Sequence, residues 1–234
     1  MSIPASELTD SRVKRAGRTL RRFFRDEDGV SIEQALEARR VALAFRGLHQ
    51  RPLGKANMGL RSMVKTAGCE VEVSQRMKRW PTMLSKLVRE PQLPLHKMQD
   101  IGGCRAILHD LDEIERGEAR IREKRPEAMV VDYIANPRLS VYRGKHVIVR
   151  YDGRQIEIQL RTWVMHEWAI TVERISSRIG TNLKGDGGHA VQQLMAAISE
   201  AMAIEESGGV VPERLESLIR ERRLVADPFL KGSA

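Results

Sequence analysis

HVIVRYDGRQIEIQLR, residues 146–161, is the stretch on which the fold turns. His146 to Tyr151 and Arg154 to Arg161 both read as strands. They meet across Asp152-Gly153, a residue pair suited to a two-residue type I′ turn. In the second strand Ile156, Ile158 and Leu160 alternate with Gln155, Glu157, Gln159 and Arg161, so one face is apolar and the other polar. A sheet with one buried face and Glu157 near the middle of the other follows.

Around this hairpin the pattern alternates between strand and helix. Glu70 to Ser74 alternates with period 2 and reads as a strand. A helix opens at Pro81 with Met83, Leu84 and Leu87 inside, closed by Pro91 and Pro94. Ile101 to Leu108 reads as a strand around Gly102-Gly103, Asp110 to Lys124 as a charged helix, and Met129 to Ile134 as β-prone. After Thr162 the pattern turns helical from Val164 to Ile179. It then crosses a Gly-rich loop at Gly185 to Gly188 and continues as helices to about Val225. Upstream, Ser11 to Arg25 forms a helix with Val13, Leu20 and Phe24 on its apolar stripe and arginines over the rest. Ser31 with Gln34 resembles a capping box for a second helix. His49 to Gly68, interrupted by glycines, reads as mixed loop and short helix. The expected fold is α/β (α+β), a mixed sheet of about five strands flanked by helices. Its organisation is a basic helical extension over 1–64, a core over 65–180 and helices over 181–234.

The bulk numbers bound the class. A chain of 234 residues with 41% hydrophobic and 30% charged residues suits one substantial soluble core. No apolar run nears the roughly 18 residues a membrane span needs, and residues 1–10 lack a signal-peptide core. Cys69 and Cys104 are too few for a disulfide framework or a zinc site and read as buried thiols in a cytoplasmic setting. A formal net charge of +9 favours polyanionic partners such as nucleotides or nucleic acid.

The sequence holds no P-loop, no dinucleotide fingerprint and no His/Cys cluster at zinc spacing. His109-Asp110 stands alone and reads as structural. A reactive site must therefore be assembled from carboxylates and cations. Asp100 before one strand and Glu157 within another can converge on a hard cation such as Mg²⁺. Arg76, Lys78, Thr82 and Lys86 place three cations and a hydroxyl where a triphosphate would bind. Asp100-Ile-Gly-Gly-Cys-Arg105, Asp132 to Arg138, Tyr142 to His146 and Glu157 to Thr162 follow in order.

This order of motifs resembles the synthetase domain of the RelA/SpoT family, over about residues 65 to 180. The resemblance implies a nucleotidyltransferase-like fold and an ATP pyrophosphokinase acting on a ribose 3′-hydroxyl. It implies that Asp100 and Glu157 hold Mg²⁺, and that Glu157, with Gln159 nearby, orients or deprotonates the attacking hydroxyl. Arg76 and Arg105 would sandwich the adenine, with Lys78, Thr82 and Lys86 on the ATP phosphates. Arg138, Tyr142, Lys145 and His146 would receive the acceptor, Tyr142 by stacking on its base.

Where the family reads Asn-Gly-Tyr-x-Ser-Ile/Leu-His, this chain has Ser140 through His146, without the Asn, the Gly or the small Ser. The altered loop, Lys145 within it and the arginine-rich first helix tilt the expected acceptor toward the 3′ end of tRNA. That would make the protein a translation-inhibiting toxin of phage-defence type, needing an antitoxin or an autoinhibitory segment. The alternatives are an alarmone synthetase using GDP or GTP, an enzyme using adenosine nucleotides, and, from another class, a silent RNA-binding module. No hydrolase domain is expected before residue 65.

Overall fold

A computed structural model of the chain describes residues 3–27, 29–137, 141–181, 183 and 188–231. Its centre is a mixed sheet of strands β1 (Glu72–Met77), β2 (Gly102–Leu108), β3 (Met129–Asp132), β4 (Lys145–Tyr151) and β5 (Arg154–Thr162). The strand order is β1-β2-β5-β4-β3, with β2 and β5 parallel and the other neighbours antiparallel. The mixed five-stranded sheet flanked by helices is the one expected. At the hairpin, Tyr151 pairs with Arg154, and Asp152 and Gly153 take φ of 48° and 75°, as a type I′ turn requires.

The helices are α1 (Asp10–Phe24), α2 (Ile32–Gly47), α3 (Gln50–Thr66), α4 (Trp80–Arg89), α5 (Leu111–Lys124), α6 (Trp163–Ile179), α7 (Ala190–Glu206) and α8 (Glu213–Lys231). One core lies between the sheet and helices α3 and α5: Leu53, Ala56, Leu60 and Val64 meet Ile156, Ile158, Leu160, Ile114 and Ile121. A second joins α1, α2 and α4 through Val13, Leu20, Phe45, Met83 and Leu87. A third joins Tyr142 to α6, α7 and α8 through Trp168, Val191 and Ala226. No helix among the described residues is long and apolar enough to cross a membrane.

Local chemistry explains most boundaries. Ser31 and Gln34 form the expected capping box on α2. Asp110 caps α5 by accepting from the Glu113 amide, so the His109-Asp110 pair is structural. Both cysteines are free and buried, and burial pushes the Cys104 thiol up to about 12. The 49–68 segment differs from the mixed loop expected: it is the single helix α3. Its buried Leu53, Ala56, Leu60 and Val64 recur at helical spacing, and Gly59 is required by packing. A Cβ on Gly59 would lie 2.5 Å from the Tyr151 hydroxyl. The first strand runs later than Glu70 to Ser74, so that Arg76 falls inside it. Gly185 of the Gly-rich loop lies outside the described residues.

The arginine-rich helix is partly occupied within the chain. Arg21 donates to the carbonyls of Leu87 and Leu93, at 2.9 and 2.6 Å, and Arg25 donates to that of Val88. Leu87 and Val88 belong to the last turn of α4, whose carbonyls have no intrahelical partner. Lys14, Arg15 and Arg18 remain exposed.

Gly17 of α1 touches the 3₁₀ turn Leu95–Lys97 so closely that a Cβ there would lie 2.7 Å from Leu95 Cβ. Gly17→Val gains a few tenths of a kcal/mol in helix propensity, roughly, but overpacks the contact by about 1–3 kcal/mol. We expect a net loss of stability, read as a lowered midpoint in chemical denaturation.

Candidate active site

Opposite the face covered by α3 and α5, the sheet is polar. The register sets Arg105 of β2 beside Gln159 of β5, and Gly103 beside Glu157. Arg76 pairs with Gly103 from the other side, and His146 of β4 pairs with Gln159. Arg76, Arg105, Glu157, Gln159, Arg161 and His146 therefore share one face, by strand alternation.

Asp100 stands just ahead of β2, clamped by two ammonium groups. Lys78, following β1, and Lys86 of α4 reach the same carboxylate oxygen at 2.8 and 3.0 Å. Burial works to raise the Asp100 pKa, but the charges and hydrogen bonds of Lys86 and Lys78 outweigh it and hold the carboxyl below its ordinary value. Its other oxygen, Oδ1, is shielded from water and has no hydrogen-bond partner among the described residues. A buried oxygen of an ionised carboxylate without a partner is costly, and a cation would relieve it. Thr82 lies on the exposed side of α4, one turn before Lys86.

Glu157 is the end point of a closed ring of hydrogen bonds. Arg161 Nε donates to the Tyr142 hydroxyl at 3.0 Å, and that hydroxyl lies 2.7 Å from His146 Nε2. His146 Nδ1 is 3.1 Å from Glu157 Oε1. On the other arm Arg161 Nη2 donates to Gln159 Oε1 at 2.8 Å, and Gln159 Nε2 donates to Glu157 Oε2 at 2.6 Å. A guanidinium only donates and a carboxylate only accepts, so both arms run from Arg161 to Glu157. That direction puts the proton of a neutral His146 on Nδ1. Burial works to raise the Glu157 pKa, the His146 contact lowers it, Asp100 raises it and Gln159 lowers it; the net direction is down. Glu157 is thus held in its ionised form, near enough to Asp100 to feel its charge.

The cations beyond this pair repel one another. Arg105 has a lowered pKa from burial and from the charges of Arg161 and Arg76, and its Nε has no partner among the described residues. Three guanidiniums crowded on one polar face favour an anionic ligand.

Two of the expected acceptor contacts stand elsewhere. Lys145 is on the opposite face of β4, 3% exposed, with its ammonium 2.6 Å from both Glu115 and Glu118 and 3.4 Å from Asp132. Burial works to lower its pKa, but Glu115 and Glu118 raise it. The cause is strand alternation: His146 faces the site, so its neighbour cannot. Tyr142 is buried against Trp168 and Tyr133, with its hydroxyl inside the ring of hydrogen bonds, rather than presented as an open stacking surface. Arg138 and Ser140 lie outside the described residues. Arg161 was not singled out as a site residue, although its place two residues beyond Gln159 signals the shared face. Helix α7 also reaches this side: Ser199 donates to the Val141 carbonyl at 2.8 Å, and Glu206 pairs with Arg143 at 2.8 Å.

Residues 75–175 match the family model described as the region found in RelA / SpoT proteins. An uncharacterized protein of Mycobacterium tuberculosis is 30% identical over 155 residues, covering 64% of this chain and 50% of the relative. The chain thus spans about half the length of that relative. The GTP pyrophosphokinase YjbM of Bacillus subtilis is 28% identical over 165 residues, covering 64% of this chain and 78% of the relative. Among solved structures, the small alarmone synthetase 1 of Bacillus subtilis, bound to its product pppGpp, superposes with a TM-score of 0.55. It is 24% identical, covering 74% of this chain and 93% of that one, and shares the fold.

Two outcomes follow from these contacts. Lys145→Met strands Glu118 and Asp132 without their buried partner and is expected to cost about 3–5 kcal/mol in denaturation experiments. The depressed Asp100 pKa adds stability that is complete above its ordinary value of 3.8 and is lost as pH falls through the lower folded value. Asp100→Asn should therefore flatten the acid limb of stability against pH, measured by denaturant titration at a series of pH values.

Proposed function

The chain carries a RelA/SpoT region across residues 75–175, and from that premise we propose that it is an ATP-dependent pyrophosphokinase. The observation that carries this reading is the meeting, on one sheet face, of a lysine-clamped Asp100 with a Glu157 loaded from two sides. In the proposed reaction the acceptor's 3′-oxygen bonds to the β-phosphorus of ATP. The bond from that phosphorus to the oxygen bridging the α-phosphate breaks, and AMP leaves with the electron pair. Glu157 takes the hydroxyl proton, its carboxylate aimed by His146 and Gln159.

Asp100 and Glu157 are the residues that would hold Mg²⁺; the unpartnered Asp100 Oδ1 supports this assignment. When bound, the ion supplies charge neutralisation on the phosphates. Lys78 and Lys86 neutralise the phosphate chain as it shifts toward the acceptor, and Arg76 and Arg105 hold the adenine between their planes. Phosphoryl-type transfer draws most of its acceleration from this positioning and charge.

For the acceptor, a guanosine nucleotide now leads over the 3′ end of tRNA. YjbM is named a GTP pyrophosphokinase, and two of the arginines that favoured RNA are occupied within the chain, at the end of α4. The tRNA reading keeps the exposed Lys14, Arg15 and Arg18 in its favour.

The test is transfer of label from γ-³²P-ATP to GDP, GTP or tRNA. Label on the guanosine nucleotides is expected, and Glu157→Gln should lower the rate by about 10²–10⁴-fold. Label on tRNA alone would overturn the acceptor assignment. No transfer to any acceptor would overturn the enzyme and favour a silent RNA-binding module.

A further inference from the structure

At the hairpin end of the sheet a cleft lies between the β4–β5 turn, the C-terminal end of α2 and the 3₁₀ turn Leu95–Lys97. It is lined by Lys97, Arg150 and Arg154, with Asp10 as the one lining carboxylate. Among the described residues none of these three cations has an ion-pair partner, whereas Lys78, Lys86, Arg143 and Lys145 all do. Arg150 and Arg154 flank the tight turn, one pairing with Gln155 and the other with Tyr151. Strand alternation puts Arg150 on the face of Gln155 and Arg154 on that of Tyr151, so the two residues line the end cleft from opposite faces of the hairpin.

The cleft has a second character deeper in. Phe45 and His49 line it, and the Arg154 guanidinium sits 5.1 Å over the Phe45 ring. His49 is buried, and burial pushes it down to about 4, against its hydrogen bond to the Phe45 carbonyl. It is therefore neutral. Its Nδ1 lies 3.1 Å from that carbonyl and in the neutral ring carries the hydrogen, with the Arg46 backbone as a further partner of the imidazole. His96, also lining the cleft, has a buried Nδ1 without a partner. A concave surface with unpaired cations at its rim and a ring plus a neutral imidazole within suits a ligand that joins several phosphates to a polar organic group.

We propose that this cleft is a second ligand site, for an oligophosphate-bearing small molecule, held at the phosphates by Lys97, Arg150 and Arg154. It is built from residues that take no part in the proposed pyrophosphate transfer, and it stands whether or not that reading holds. The shared chemistry is the oligophosphate; a nucleoside carrying it would add contacts to Phe45 and His49.

Inorganic triphosphate and ATP serve as separate probes of the full chain, by calorimetry and by amide hydrogen exchange. Both are expected to protect residues 95–98 and 150–155. Lys97 and Arg150 are exposed, so Lys97→Glu with Arg150→Glu should leave the fold intact. The double variant should weaken binding at these segments by about tenfold or more. Lys86→Glu, at the other site, should leave that protection in place. ATP binding more tightly than triphosphate assigns a nucleotide, and equal binding assigns a free oligophosphate. The proposal is overturned if neither probe protects 150–155, if the double variant binds like the parent, or if Lys86→Glu alone abolishes the protection.

Discussion

The parallel pairing of β2 with β5 decides where the charges on the sheet's polar face go. It sets Gly103 against Glu157 and Arg105 against Gln159, and it brings the end of the Asp100 loop next to the middle of β5. A slip of one residue would invert β5 and carry Glu157 into the core while turning Ile158 and Leu160 out. Those two side chains are fully buried beneath α3 and α5. Burying side chains of that size is worth about 1.5–3 kcal/mol each. The register is therefore held by the apolar face, and the polar face inherits its geometry from a choice made for packing.

That inheritance explains how a crowded polar face remains ordered. Arg161, 3% exposed, is too buried to leave its donors unused, and both arms of the ring descend from it to Glu157. Each member donates to the next, so no group competes for the same lone pair, and the carboxylate at the end is held ionised and aimed. The exceptions stand out against this order. Asp100 Oδ1 and Arg105 Nε are buried without partners among the described residues, one an acceptor beside two lysines and the other a donor among three guanidiniums. Such groups cost stability and are retained where a ligand completes them.

How far this could be read from the sequence follows from the range of each interaction. The hairpin was legible because a period of two and an Asp-Gly turn are local. The strands, α4 and the α2 capping box were legible on the same terms. Helix α3 was not, since one glycine that broke its pattern, Gly59, is explained by Tyr151, almost a hundred residues on. Arg21 and Arg25 looked like an open basic surface because nothing near them in sequence shows that they meet the end of α4. The placement of Lys145 was within reach: once His146 is set on the polar face, alternation sends Lys145 to the other. Arg161 was equally within reach, two residues past Gln159 on a strand whose polar face was already identified. Motif comparison weighs residues one by one, whereas the pleat assigns them in pairs.

The loop before β4 could not be read from its own sequence, because it is held from outside. Val141 takes a φ of 55°, a conformation that costs a β-branched residue energy and persists only when surrounding contacts impose it. Here the contacts come from α7: Ser199 holds the Val141 carbonyl, and Glu206 pairs with Arg143 in a nearly dry environment. Tyr142 lies between these two anchors and is thereby turned inward, toward Trp168 and the ring of hydrogen bonds. The missing Asn and Gly of the family motif are thus only part of the difference at this loop. A helix more than fifty residues downstream sets the backbone from which Tyr142 and His146 project, so the shape of this loop belongs as much to α7 as to its own residues.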